Sequence, residues 1–124
     1  MRRLLALVLL LVVACSADTT VENHYALSEW AVDGPSRLSA ADVVTLSVEN
    51  TGEFRHTLLV TSESGEVVGA TGVIDSGSRA TLELDLAAGT YSLSCRIVTQ
   101  DDEGNLSDHY QRGMFRRVVV GGGA

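Results

Sequence analysis

Four side chains in this sequence of 124 residues combine into a donor set with a definite chemistry: His56, Cys95, His109 and Met114. Two imidazoles, one thiolate and one thioether form a soft ligand set. A trigonal arrangement of two histidines and a cysteine, with methionine as a weak axial ligand, suits a type 1 copper ion. Calcium and magnesium, which take oxygen ligands, are poorly served. Zinc accepts two histidines and a cysteine, so the thioether is what turns the expectation toward copper. Taken singly, none of the four carries the argument. An inward-facing histidine is usually a hydrogen-bonded structural residue, and a methionine before a strand usually fills a core. No serine sits in a nucleophile-elbow or oxyanion context, so the expectation is of a binding protein and not an enzyme.

The elements that must bring these residues together read as strands. Residues 42–50 alternate, with Val44, Leu46 and Val48 on one face and Thr45, Ser47 and Glu49 on the other. A turn at Asn50-Thr51-Gly52-Glu53 leads into a strand whose period of two places His56 with Leu58 and Val60 on the apolar side. Residues 79–86 alternate again through Leu82, Leu84 and Leu86. Ala87-Ala88-Gly89 then turns into a strand that puts Cys95 on the face of Tyr91 and Leu93. His24 to Val32 and Phe115 to Val120 supply the first and last strands. No stretch has a sustained helical period, and no internal repeat is present. The expected fold is all-β: an antiparallel Greek-key β-sandwich of seven to eight strands.

Three segments together resemble the cupredoxins, the superfamily of plastocyanin and azurin. Asn50-Thr51-Gly52 followed by His56 resembles the Asn-x-Gly-x-x-x-His segment that supplies a first copper histidine. Gly89-Thr90-Tyr91 running to Cys95 is similar to the strand that ends on the ligand cysteine, and His109 to Met114, with Gly113 before the methionine, is similar to the closing His-x-x-x-x-Met. The resemblance covers residues 24–120 in order, and Ser28-Glu29-Trp30 also fits it. It implies a cupredoxin-like sandwich holding one copper ion for electron transfer, with the edge of His109 near the surface; Tyr110 and Phe115 are either an apolar contact patch beside it or ordinary packing. The sequence departs from the pattern twice. Thirteen residues, Arg96 to Asp108, separate the cysteine from the second histidine, more than the family usually has. An inserted hairpin, rising through residues 96–99, turning at 101–105 and returning through 106–108, would bring Cys95 and His109 back together. Thr57 stands where many members have an asparagine, and threonine can replace only part of that residue's hydrogen bonding.

The N-terminus has a different composition. Arg2 and Arg3 precede an apolar run from Leu4 to Val13, which is the order of a secretory signal and too short to span a bilayer. Val12-Val13-Ala14-Cys15 resembles a bacterial lipobox. Residues 1–14 are therefore expected to be a signal peptide, with Cys15 the lipidated mature N-terminus and residues 15–23 its tether. Residues 24–120 form the domain and 121–124 a frayed tail. The resulting location is extracytoplasmic and membrane-anchored, at a bacterial cell surface or in a periplasm. Lipidation of Cys15 would leave Cys95 as the one remaining thiol, in an oxidising compartment, where burial, intermolecular pairing or metal ligation could each explain it.

Removal of residues 1–14 takes two of nine basic residues and none of the sixteen acidic ones, leaving a mature net charge of −9. Such a surface disfavours nucleic acid and anionic lipid, and makes a basic redox partner the more suitable one. The acidic insert, with Asp101, Asp102, Glu103 and Asp108, is either a solvated turn or a steering patch beside the metal. Sensitivity of partner association to salt separates these two. Three functions stay open at this point: a one-electron carrier, a copper-binding lipoprotein without a place in a redox chain, and a metal-free cupredoxin-like binding module.

Overall fold

Alternation decides the fold, and the buried residues follow it closely. Val44, Leu46 and Val48 are buried on one face of their strand, while Thr45, Ser47 and Glu49 between them remain partly exposed. The computed structural model describes residues 22–121. The expected signal peptide, Cys15 and residues 122–124 lie outside the described residues, and β1 begins at Glu22, two positions before the expected start of the domain.

Eleven strands are described: β1 (Glu22–Ser28), β2 (Ala31–Asp33), β3 (Arg37–Leu38), β4 (Val44–Asn50), β5 (Leu59–Ser62), β6 (Val67–Ala70), β7 (Arg79–Leu84), β8 (Gly89–Ser94), β9 (Val98–Gln100), β10 (Leu106–Asp108) and β11 (Phe115–Val120). They form a four-stranded sheet in the order β2-β1-β4-β7, a five-stranded sheet in the order β3-β11-β8-β5-β6, and a separate β9-β10 ribbon. Tyr25, Leu27, Leu46 and Val48 of the first sheet and Val60, Leu93, Val118 and Val120 of the second belong to one buried core. Each sheet buries one face against the other, which is the sandwich the sequence leads one to expect.

The structure differs from that expectation in two details. The sheets are mixed: β1 pairs with β4 and β11 pairs with β3 in parallel, while all other named pairs are antiparallel. Parallel neighbours are joined by long connections and leave no turn signal between them. The strand number exceeds seven or eight because the expected strand 24–32 breaks at Glu29 and Trp30 into β1 and β2, and because short pieces such as β3 add to the edges. That break places Glu29 and Trp30 on a turn at one end of the sandwich, level with Asn50 at the end of β4, which pairs with Leu27.

Candidate metal centre

His56 owes its position to a buried asparagine. Asn50 is fully buried; its Nδ2 donates to the carbonyls of Phe54 and Ile74, each at 2.8 Å, and its Oδ1 accepts from the N–H of Gly52 at 2.9 Å. One side chain thereby satisfies the backbone of the loop that β4 feeds into. His56 follows, its N–H donating to Ile74 at 3.2 Å and its carbonyl accepting from Ile74 at 2.8 Å. Burial of His56, Leu58 and Val60, with Arg55, Thr57 and Leu59 more exposed, follows the parity read from the sequence, although the strand itself starts only at Leu59.

The other three residues are tied to one another through the backbone. Cys95 directly follows β8, and its N–H donates to the Met114 carbonyl at 3.2 Å. The N–H of Met114 donates to the His109 carbonyl at 3.1 Å, and that of His109 to Ile97 at 3.0 Å. The turn between His109 and Met114 ends at Gly113, whose φ of +121° few other residues adopt, and a Cβ there would lie 3.1 Å from the Trp30 carbonyl. The thirteen-residue gap is closed by the expected hairpin. β9 and β10 pair antiparallel, Leu106 opposite Gln100, around a tip in which Asp101 accepts from the N–H groups of Glu103 and Asn105.

The result is a buried convergence of donors at one end of the sandwich. His56 Nδ1 and His109 Nδ1 are 3.2 Å apart, and Cys95 Sγ lies 4.0 Å from the first and 3.6 Å from the second. His56, Cys95, His109 and Met114 are all fully buried. Two ligand bonds of about 2.0 Å at tetrahedral to trigonal angles separate their nitrogens by roughly 3.3 to 3.5 Å. The spacing of the two imidazoles therefore matches donors to one ion. Two Nδ1 lone pairs this close repel unless a proton or a cation lies between them. With the sulfur of Cys95 as third donor and Met114 hydrogen-bonded through its backbone to both Cys95 and His109, the donor set suits copper.

The surrounding residues fix the rings. His56 Nε2 lies 2.9 Å from Glu29 Oε1; a carboxylate only accepts, so this nitrogen carries a proton. His109 Nε2 meets Thr99 Oγ1 of β9 at 3.2 Å. The N–H of Thr57 donates to Cys95 Sγ at 3.4 Å, so the backbone at this position reaches the sulfur directly. The Thr57 hydroxyl lies 3.8 Å from the same sulfur, while Asn50 ties down the loop. The pKa of His109 is held below its ordinary value, chiefly by burial and then by the neighbouring His56, with Arg112 adding and Glu29 and Asp108 opposing.

One expectation is corrected here: the edge of His109 does not reach the surface. The ring is enclosed by Trp30 at 4.8 Å between ring centroids, by Phe54 at 6.2 Å and by Thr99 of the inserted hairpin. Tyr110 and Phe115 pack edge to face on each other, with the Arg96 guanidinium over Tyr110. Sequence reading missed Glu29, Phe54 and Thr99 as parts of the centre. They reach it from separate stretches of chain, and only the parallel β1–β4 register and the hairpin fold bring them there.

The arrangement of these sheets is shared with known proteins. Auracyanin from the photosynthetic bacterium Roseiflexus castenholzii superposes with a TM-score of 0.61 at 18% identity, over 80% of this chain and 95% of that one. The chain has the cupredoxin fold. Rusticyanin from Thiobacillus ferrooxidans matches the same fold with a TM-score of 0.58 at 18% identity, over 80% of this chain and 75% of that one. Another rusticyanin structure, described as that of a copper protein, gives 0.57 at 20% identity. No protein-family model and no curated protein matches the sequence. In this cupredoxin fold, the end of the sandwich that carries His56, Cys95 and His109 is where the hairpin, the Glu29–Trp30 turn and the Asn50 loop meet.

Proposed function

We propose that this chain is a one-electron carrier, in which His56, Cys95, His109 and Met114 would hold a single type 1 copper ion. The observation that carries the reading is the burial of three donor atoms facing one another within 4.0 Å. The shared fold with auracyanin and rusticyanin supports it. A bound copper ion supplies the one-electron couple; the remaining work belongs to the chain. Hydrogen bonds donated by Asn50 and by the Thr57 N–H, and the contact of Thr99 Oγ1 with His109 Nε2, hold the donor loops so that little must move when charge changes. Burial excludes water from the sulfur of Cys95. Because His109 is enclosed, Phe54, half-exposed and stacked on Trp30 at 5.6 Å, serves as the surface contact for a partner. With a mature charge of −9, that partner is a basic redox protein. The leader and Cys15 give the carrier an extracytoplasmic place on a membrane through N-terminal lipid.

Copper handling without electron transfer calls for a site open enough to exchange the ion. An irregular Arg96–Asp108 loop would leave such an opening, but the segment folds as a hairpin over His109. Voltammetry of the copper-loaded protein separates the two readings. A carrier gives a reversible one-electron wave that persists at high scan rates. Sluggish cycling with tight retention of Cu(I) would assign the protein to handling instead.

A further inference from the structure

Glu29 stands at the turn between β1 and β2 and makes three hydrogen bonds with its one carboxylate. Oε1 accepts from His56 Nε2 at 2.9 Å and from the N–H of Phe54 at 2.8 Å, and Oε2 accepts from the N–H of Glu53 at 3.1 Å. The ligand loop is shaped around it. A Cβ on Gly52 would lie 2.4 Å from Glu29 Oε1, so glycine is the residue that leaves the carboxylate where it is. Its side chain is about a quarter exposed, at 23%, while His56 is fully buried, so the carboxylate shields the outer edge of the ring from solvent.

We propose that Glu29 is the positioning residue of this centre: it fixes the proton on His56 Nε2, leaving Nδ1 bare toward Cys95 and His109, and its negative charge makes His56 a stronger donor to Cu(II) than to Cu(I). The inference rests on the reading of His56 as a copper ligand. A hydrogen-bonded carboxylate raises the basicity of the imidazole it holds, and loss of such a partner typically weakens metal binding by about 10- to 100-fold. The added charge favours the more highly charged ion, so Glu29 lowers the reduction potential of the site.

Two measurements test this. In the metal-free protein, long-range proton–nitrogen NMR at pH 8 reads which nitrogen of His56 is protonated. Nε2–H is expected, and Nδ1–H overturns the positioning role whether or not copper binds. In the copper-loaded protein, Glu29→Gln keeps an oxygen for His56 and Phe54 and removes the charge. The expected result is an intact blue chromophore with Cu(II) affinity about tenfold lower and Cu(I) affinity nearly unchanged. For a one-electron couple a tenfold change corresponds to a rise of about 59 mV in potential. A blue variant with the wild-type potential overturns the electrostatic role. A wild-type protein that takes no copper into these ligands overturns the functional reading instead, and the NMR result then decides the proton assignment alone.

Discussion

His109 shows what enclosure does to a single titratable group. Its pKa lies below the ordinary 6.5, first because burial disfavours the imidazolium and second because His56 is beside it. Below about 6.5 the unfolded chain therefore binds a proton that the folded chain resists, so stability falls as pH drops through that value toward the folded pKa. Glu29, held below its ordinary 4.5, acts in the same direction at lower pH, because its ionised form is the one the fold favours. Urea unfolding of the metal-free protein is expected to show a midpoint that falls between pH 7.5 and pH 5.5. In His109→Ala the slope in that window becomes shallower. A midpoint that rises on acidification contradicts the enclosed, neutral His109. His56 and Cys95 were legible in the sequence as inward-facing residues, because their types are scarce and their strand parity is regular. Glu29 was not, since one carboxylate among sixteen acidic residues has no spacing relation to the histidine it holds.

The β9–β10 hairpin is the element that sets this chain apart from the pattern it resembles. Its turn could be read in advance, as Asp101, Gly104 and Asn105 suit a tight connection; Gly104 adopts a φ of +84° and Asp101 caps the tip. That it would cover His109 could not be read, because the contact depends on the orientation of Thr99 relative to a ring ten residues away. Parallel pairing of β1 with β4 was equally silent, since alternation reports which face is buried and not which strand lies alongside. Replacing residues 98–108 with a short Gly-Ser connection is expected to leave the sandwich folded and uncover His109. Electron self-exchange of the copper-loaded variant, measured by NMR line broadening, then rises at least about tenfold, the equivalent of ~1.4 kcal/mol off the barrier. An unchanged rate in a folded, copper-loaded variant would show that electrons do not need that edge.

At the scale of the whole molecule, the sequence was sufficient for the two-sheet sandwich because each long strand carries its buried face in alternate positions. Tyr25 and Leu27, Leu46 and Val48, Leu93, Val118 and Val120 are all buried as that pattern requires. The mixed sheets and the sealed end came from long-range pairings that no local pattern encodes. What the fold accomplishes as a unit is to deliver three donors, from the loop after β4, the end of β8 and the turn before β11, to one dry point. The most direct test is titration of the purified, metal-free domain with Cu(II), followed by visible absorption. One equivalent is expected to produce the intense blue of a copper–thiolate charge-transfer band, absent in Cys95→Ser. A folded wild-type protein that stays colourless, or a Cys95→Ser variant that remains blue, would contradict the assignment of these residues to a type 1 copper site.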